Sequence, residues 1–270
     1  MKWWLIVLAA LLAVGCSTVD PVTGQQVNNL YTIEDDIQLG RQVLGDIIKK
    51  MREENVPINA DREKVAKLQE MVRRITAVSH MPDLPYEIYL FETNIVNAFA
   101  APGGQMGVFS GLYHPEQGLV RDDDELAAVI AHEVAHVTCR HVTEALTREL
   151  PVRLALLGGM IYAEVKGKEE LAAGLAVGFL VYEGLILPKY SRENEFEADR
   201  VGTMYMAKAG YDPRAAVRIW ERAAARSKDP KLFAFLSSHP TDSQRAEALK
   251  KILPEAIAEY ERARAAGRPQ

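Results

Sequence analysis

The 270-residue sequence predicts an α+β fold that is mostly helical. Three observations predict it: apolar residues recur at helical spacing along most of the chain, strand-like alternation is confined to residues 86–112, and 48% of the residues are hydrophobic, which suffices for a large core. The formal net charge of −5, together with the lack of a long basic cluster, argues against nucleic acid as a partner.

The N-terminal segment has the features of a bacterial export signal. One lysine precedes an apolar run, residues 3–14, that is too short to span a bilayer, and small residues lead directly into Cys16. We expect a signal peptide over residues 1–15 and lipid attachment at Cys16, because this segment resembles a lipobox. The alternative is an ordinary signal peptide with an incidental cysteine. Ser17 after this cysteine favours the outer membrane, by resemblance to bacterial lipoproteins. If Cys16 is lipidated, Cys139 has no disulfide partner within the chain.

The first part of the remaining chain predicts a tether, two helices and a small sheet. Residues 16–33 are polar and turn-rich, and we interpret them as the tether. Amphipathic helices follow over about residues 34–54 and from Asp61, a favourable N-cap, onwards. Residues 86–93 alternate like a strand, and residues 97–112 are typical of two extended pieces joined by a Pro-Gly-Gly turn, which together predict a small antiparallel sheet.

The second part predicts helices only. An acidic start and a nearly all-apolar sequence indicate a buried helix over about residues 124–147. Residues 151–187 favour two apolar helices joined by a charged turn. Both are shorter than the roughly 20 residues needed to cross a bilayer, so we expect a hairpin packed on the core, with membrane-surface contact as the alternative. Helices over residues 192–209 and 213–225 and a last amphipathic helix after a turn at 237–245 complete a single domain, residues 34–270.

The segment AHEVAHVTCRHVTE, residues 131–144, indicates a metal site. His132 and His136 are four residues apart, so both imidazoles project from one helix face, and Glu133 lies beside that face. Burying these three groups in an apolar helix is costly unless a metal is bound; the alternative is a pair of hydrogen-bonded core histidines. His141 falls on the opposite side of a regular helix, which excludes it from the same ion.

A third ligand is expected from the segment SRENEFEADRVGTMYMAK, residues 191–208, because a hydrolytic zinc site has three protein ligands. On a helical wheel Glu195, Asp199 and Gly202 share the inward face, whereas Glu197 lies on the solvated face. We predict that Glu195 binds the metal and that Asp199 accepts the free N–H of a ligand histidine. A charged, solvated helix start without metal is the alternative.

These motifs resemble the gluzincin zinc metallopeptidase family that contains HtpX and the CAAX prenyl proteases. The resemblance covers about residues 30–250 and is strongest to the periplasmic BepA- and LoiP-like lipoprotein peptidases, since NAFAAPGG (97–104) and SSHPTDSQR (237–245) also agree. It implies a zincin-type domain with the sheet beside the HExxH helix and one Zn²⁺ per chain. It also implies an endopeptidase on the periplasmic side of the bacterial envelope that acts on misfolded or unassembled exported proteins.

The same resemblance implies roles for further residues. Zinc would activate a water, and Glu133 would pass its proton to the leaving amine. His239 borders the active site in the family, where it either stabilises the oxyanion or takes the fourth zinc position in a latent enzyme; a surface-turn histidine is the alternative. A substrate strand would pair along Asn97, Ala98 and Phe99, unless these form an ordinary hairpin edge.

Two rival functions remain open on the sequence. One is a chaperone-like outer-membrane assembly factor with little or latent proteolysis, and the other is a zinc hydrolase that cuts cell-wall peptides. The leading hypothesis places the protein at the membrane through the lipid at Cys16.

Overall fold

The computed structural model describes residues 17–176, 190–239 and 243–267. The expected signal peptide, Cys16, residues 177–187 of the expected hairpin and part of the 237–245 turn lie outside these ranges. The helices are α1 (Ile33–Glu53), α2 (Arg62–Thr76), α3 (Asp123–Thr138), α4 (His141–Val165), α5 (Arg192–Lys208), α6 (Arg214–Ala225), α7 (Phe233–Ser238) and α8 (Ser243–Ala265). The strands are β1 (Ser17–Val19), β2 (Gln26–Asn28), β3 (Glu87–Phe91), β4 (Ala98–Ala101) and β5 (Gln105–Phe109).

Helices α1 and α2 begin where their capping residues stand. The side chain of Thr32 accepts a hydrogen bond from the Asp35 amide in a capping box, and the Asp61 side chain accepts one from the Lys64 amide. Each such bond satisfies a backbone N–H that the helix itself leaves without a partner. The predicted apolar face of α2, including Leu68, is buried in the main core. The two predicted helices are thus confirmed, and α1 starts one residue earlier than expected.

The three-stranded sheet has the order β3-β5-β4, which makes β4 an edge strand. β4 and β5 form the predicted antiparallel hairpin, and Gly103 and Gly104 in its turn have φ values of 69° and 97°. β3, however, pairs with β5 in parallel, so the sheet is mixed rather than antiparallel throughout. The α+β class is confirmed. Apolar alternation reports which side chains are buried and carries no information on strand direction, which explains the difference.

The predicted helix over residues 124–147 is wrong, because the chain breaks between α3 and α4 at Arg140. Arg140 has a left-handed conformation with φ of 55°. Its Nε donates to Asp36 Oδ2 at 2.6 Å, and its Nη2 donates to the carbonyl oxygens of Tyr31 and Thr32 at 2.6 and 3.1 Å. A non-glycine residue in this conformation is strained by about 1–3 kcal/mol, and these buried contacts hold it there. The sequence has no glycine or proline at this point to mark the break.

Helix α3 is the central element of the core. Every residue from Glu125 to Thr138 is buried, and α5, α6, α2 and β4 all contact the helix. The approach of α5 is closest at Gly202, where a Cβ atom would lie 2.8 Å from the backbone C and O atoms of Ala131. Gly202, which the sequence predicts on the inward face, therefore admits a neighbouring helix, and that helix carries the HExxH motif.

Replacing Gly202 with alanine is expected to destabilise the fold by about 1–3 kcal/mol, because the added methyl group overlaps backbone atoms that cannot move independently. Urea unfolding followed by circular dichroism measures the change. The matched control is Gly45→Ala in α1, where an added Cβ meets nothing within 4 Å, and which is expected to gain about 0.5–1 kcal/mol. Equal shifts in the two variants would contradict the close-packing interpretation.

Helix α4 extends away from the core after its first turn. Only His141, Thr143 and Ala163 are buried in it, and large apolar side chains that include Ile161 and Val165 are exposed. Residues 169–176 form the start of a second helix, and Leu175 lies 3.1 Å from the Cβ position of Gly159. The described part of the hairpin is therefore not packed on the core as expected. Among the described residues, no helix is both long and apolar enough to cross a membrane.

Candidate metal centre

Three distant segments bring four metal-binding side chains together. His132 and His136 lie on α3, Glu195 lies in the first turn of α5, and His239 follows α7 directly. All four are buried, and one ligand atom from each lies within 4.8 Å of the others. The structure thus places the three predicted ligands in one cluster and adds His239 to it, which the sequence left undecided.

The distances in the cluster fit a tetrahedral metal ion. His132 Nε2 lies 3.0 Å from His136 Nε2, 3.3 Å from His239 Nδ1 and 3.5 Å from Glu195 Oε2. Glu195 Oε1 lies 3.3 Å from His136 Nε2 and 3.2 Å from His239 Nδ1. Zinc–ligand bonds of 2.0–2.1 Å place neighbouring ligand atoms about 3.3 Å apart in a tetrahedron. The donor set of three imidazoles and one carboxylate therefore fits zinc in both chemistry and spacing.

Glu133 lies beside the cluster and not within it. Its Oε1 is 3.1 Å from His239 Nε2, and the side chain is buried. That contact is at ion-pair distance, and the other oxygen, Oε2, accepts no hydrogen bond from the described residues. A buried carboxylate oxygen without a hydrogen bond is costly, which is typical of a group that acts on a ligand rather than on the fold. Glu133 therefore lies beside the face of α3 that carries His132 and His136, where helix geometry predicts it.

Asp199 and Arg245 are buried next to the cluster and contact two of its side chains. Asp199 Oδ1 lies 3.0 Å from His132 Nδ1, at ion-pair distance. Arg245 donates from Nε and Nη2 to the two Asp199 oxygens, both at 2.7 Å, and its Nη1 forms an ion pair with Glu195. The guanidinium group also stacks on the Trp220 ring, 3.7 Å from its centroid. Arg245 is not predictable as a site residue, because nothing in its spacing marks a buried arginine.

The charges of these groups balance each other inside the protein. Burial by itself would raise the pKa of Glu195, but His239 and Arg245 hold it well below its usual value. Burial would likewise lower the pKa of His239, yet the carboxylates of Glu133 and Glu195 raise it to about 10. His136 differs, because burial dominates and its pKa falls well below the usual value. An uncharged imidazole is the form that can bind a metal, so His136 is ready to bind one, whereas His239 would have to lose a proton first.

Two expectations about the positions of His141 and Glu197 are wrong. The break at Arg140 carries His141 to the side of α3 that faces the cluster, where its Nδ1 lies 2.8 Å from His136 Nδ1. Its Nε2 lies 3.3 Å from Glu197 Oε2, so Glu197 is half-buried against His141 rather than on a solvated face. His141 still lies outside the four-residue cluster, because it contacts the outer nitrogen of His136 and not because a regular helix turns it away.

The predicted substrate strand lies next to the HExxH helix. β4 is an edge strand of the sheet and contacts α3, and its Ala100 carbonyl accepts a 3.5 Å hydrogen bond from the Tyr190 hydroxyl. Ala98 is buried, the ring of Phe99 packs between Phe91 and Phe109, and Asn97 Oδ1 accepts a 3.5 Å hydrogen bond from Ser238. These side chains have structural contacts of their own. Substrate pairing along the backbone of β4 therefore stays a prediction.

Comparison with known proteins agrees with this geometry. Residues 62–253 match the family model of Peptidase family M48. The mitochondrial metalloendopeptidase OMA1 of Schizosaccharomyces pombe is 38% identical over 192 residues, which cover 70% of this chain and 53% of that protein. The beta-barrel assembly-enhancing protease of Escherichia coli is 25% identical over 233 residues, 83% of this chain and 45% of that protein, and its Yersinia pestis counterpart is 28% identical over 211 residues.

The chain belongs to peptidase family M48, a family of metallopeptidases, as the sequence motifs predicted. It spans about half the length of the relatives that it matches.

Proposed function

We propose that the chain is a zinc-dependent endopeptidase of the bacterial envelope that cuts misfolded or unassembled exported proteins. One observation supports the peptidase activity above all others. Two histidines of an HExxH helix and a glutamate from a second helix meet at zinc-ligand spacing, with the buried motif glutamate beside them. The membership of family M48 agrees with this chemistry.

In the proposed mechanism His132, His136 and Glu195 hold the ion, which when bound would supply Lewis acidity toward the peptide carbonyl and toward water. Glu133 takes a proton from the attacking water and delivers it to the leaving amine. Asp199 holds the outer nitrogen of His132, and Arg245 fixes both Asp199 and Glu195. An extended substrate pairs with the free edge of β4.

The proposed location and substrates have separate support. The N-terminal sequence supports export and a lipid anchor at Cys16, and therefore an outer-membrane lipoprotein on the periplasmic side of the envelope. The bacterial relatives carry names that describe enhancement of beta-barrel assembly by a protease, which supports envelope proteins as substrates. An edge strand that binds backbone rather than side chains suits unfolded substrates of varied sequence.

Metal analysis and digestion of casein test the proposal. The purified chain without its first 16 residues is expected to carry one zinc per chain and to cut casein, a protein without stable structure. Treatment with a chelator should abolish cleavage, and added zinc should restore it. Failure to bind zinc, or cleavage that is indifferent to the chelator, would overturn the proposal. Muropeptides offered in parallel test the cell-wall alternative.

An assembly factor with latent proteolysis is the second candidate, and the place of His239 favours it. A fourth protein ligand closes a zinc site to water and substrate. His239 Nδ1 lies at ligand spacing from His132 and Glu195, and its other ring nitrogen faces Glu133. In this arrangement the histidine blocks both the open metal position and the general base.

Substitution of His239 with alanine separates the two roles proposed for this residue. If His239 closes the site, His239→Ala is expected to cut casein several-fold faster than the parent chain. If it stabilises the oxyanion instead, cleavage should fall by about 10²–10³-fold. Initial rates at equal zinc content distinguish the outcomes, and His114→Ala, in a half-buried turn outside the cluster, serves as the control.

A further inference from the structure

The two histidines of the HExxH motif have different outer partners. His132 lies directly against a carboxylate, that of Asp199. The corresponding nitrogen of His136 faces no carboxylate and instead lies 2.8 Å from His141 Nδ1. His141 is completely buried, and its other nitrogen lies 3.3 Å from the Glu197 carboxylate. The described structure thus contains a continuous chain of hydrogen-bond contacts from His136 through His141 to Glu197.

The direction of these hydrogen bonds follows from the Glu197 carboxylate at one end, because that group can only accept. A carboxylate only accepts hydrogen bonds, so His141 must carry its proton on Nε2 to donate to Glu197. Neutral His141 then has a bare Nδ1, which can only accept. His136 must in turn carry its proton on Nδ1 and leave Nε2 with a lone pair. Nε2 is the atom of His136 that lies in the four-residue cluster.

We propose that His141 and Glu197 are positioning residues that fix His136 in the tautomer whose Nε2 lone pair faces the metal cluster. The inference rests on the proposed function, because it concerns the presentation of a zinc ligand. The same task falls to Asp199 alone at His132. In this relay Glu197, which is half-buried, contacts His141, and His141 in turn contacts His136.

The backbone break at Arg140 is what makes the relay possible. His141 begins α4 directly after the left-handed residue, and in an unbroken helix it would project from the other side of α3. The ion pair of Arg140 with Asp36 stabilises the break. Conformational strain near a candidate active site is typical of a constraint imposed by function, and the relay supplies a use for it here.

A second metal ion is the competing interpretation of the same residues. Ligand atoms of Cys139, His141 and Glu197 lie within 4.8 Å of one another. Both ring nitrogens of His141 are already engaged, however, and burial raises the pKa of the Cys139 thiol far above neutrality, which disfavours the thiolate. The relay therefore accounts for the contacts better than a second site does.

Tautomer and zinc-affinity measurements test the relay. In ¹⁵N-histidine-labelled protein, long-range ¹H–¹⁵N correlation spectra should show His141 protonated on Nε2 and His136 on Nδ1. Zinc affinity, measured by competition with a chromophoric chelator, should fall about tenfold in Glu197→Gln and up to about 100-fold in His141→Ala. The control is Glu193→Gln, which removes an exposed carboxylate from the same helix and should leave affinity unchanged.

The outcomes are distinct. His141 protonated on Nδ1, equal zinc affinity in Glu197→Gln and Glu193→Gln, or two zinc ions per parent chain would each overturn the relay. Glu197→Gln keeps the test open if the buried His141→Ala variant does not fold. A parent chain that binds no zinc would overturn the proposed function instead, and the His141 tautomer in that chain would still decide whether the relay exists.

Discussion

Glu133→Gln is expected to lower the rate of casein cleavage by about 10²–10⁴-fold while the zinc content stays at one per chain. Glutamine keeps the size and shape of the side chain but cannot accept the proton of the attacking water at neutral pH. The effect should be confined to catalysis, because Glu133 lies outside the ligand cluster, and glutamine can keep its contact with His239. Initial rates, with zinc measured on the same samples, give the result.

The control for this variant is Glu193→Gln on the exposed side of α5, which should retain the parent rate. Loss of zinc together with activity would mean that Glu133 acts as a ligand. Full activity without the carboxylate would contradict the proposed peptidase mechanism and favour a binding role for the protein.

Arg245→Met is expected to lower the free energy of unfolding by about 3–5 kcal/mol, the largest stability effect that we predict. Methionine fills much of the space of arginine but leaves the carboxylates of Asp199 and Glu195 buried without their cation. The stacking of the guanidinium group on Trp220 is lost as well. Urea unfolding of the metal-free chain measures the change without a contribution from zinc.

The control is Arg73→Met, which removes an exposed arginine paired with Glu70 and should leave stability nearly unchanged. If the two variants unfold at the same urea concentration, the buried ion pairs of Arg245 do not contribute to the fold. Zinc affinity in Arg245→Met should fall too, since Glu195 loses the partner that holds it.

The parts of the site predictable from sequence were those governed by helix geometry. The four-residue spacing of His132 and His136 and the wheel position of Glu195 fixed their directions before any fold was known. Prediction failed where a tertiary contact overrides local pattern. The pairing of Arg140 with Asp36, residues 104 apart in sequence, breaks a helix that periodicity extends, and so displaces His141. The burial of Arg245 likewise depends on its packing against helices α5 and α6, and the sequence around Arg245 does not encode that packing.

The ligand cluster draws on segments that are far apart, with His132 and His239 separated by 107 positions. A bound ion would therefore act as a cross-link between the middle and the last quarter of the chain. Metal binding and folding are then thermodynamically coupled, so that zinc stabilises the native state and native packing sets the affinity for zinc. A nascent or partly unfolded chain has no assembled site, and the proposed proteolytic capacity arises only when the whole tertiary structure is complete.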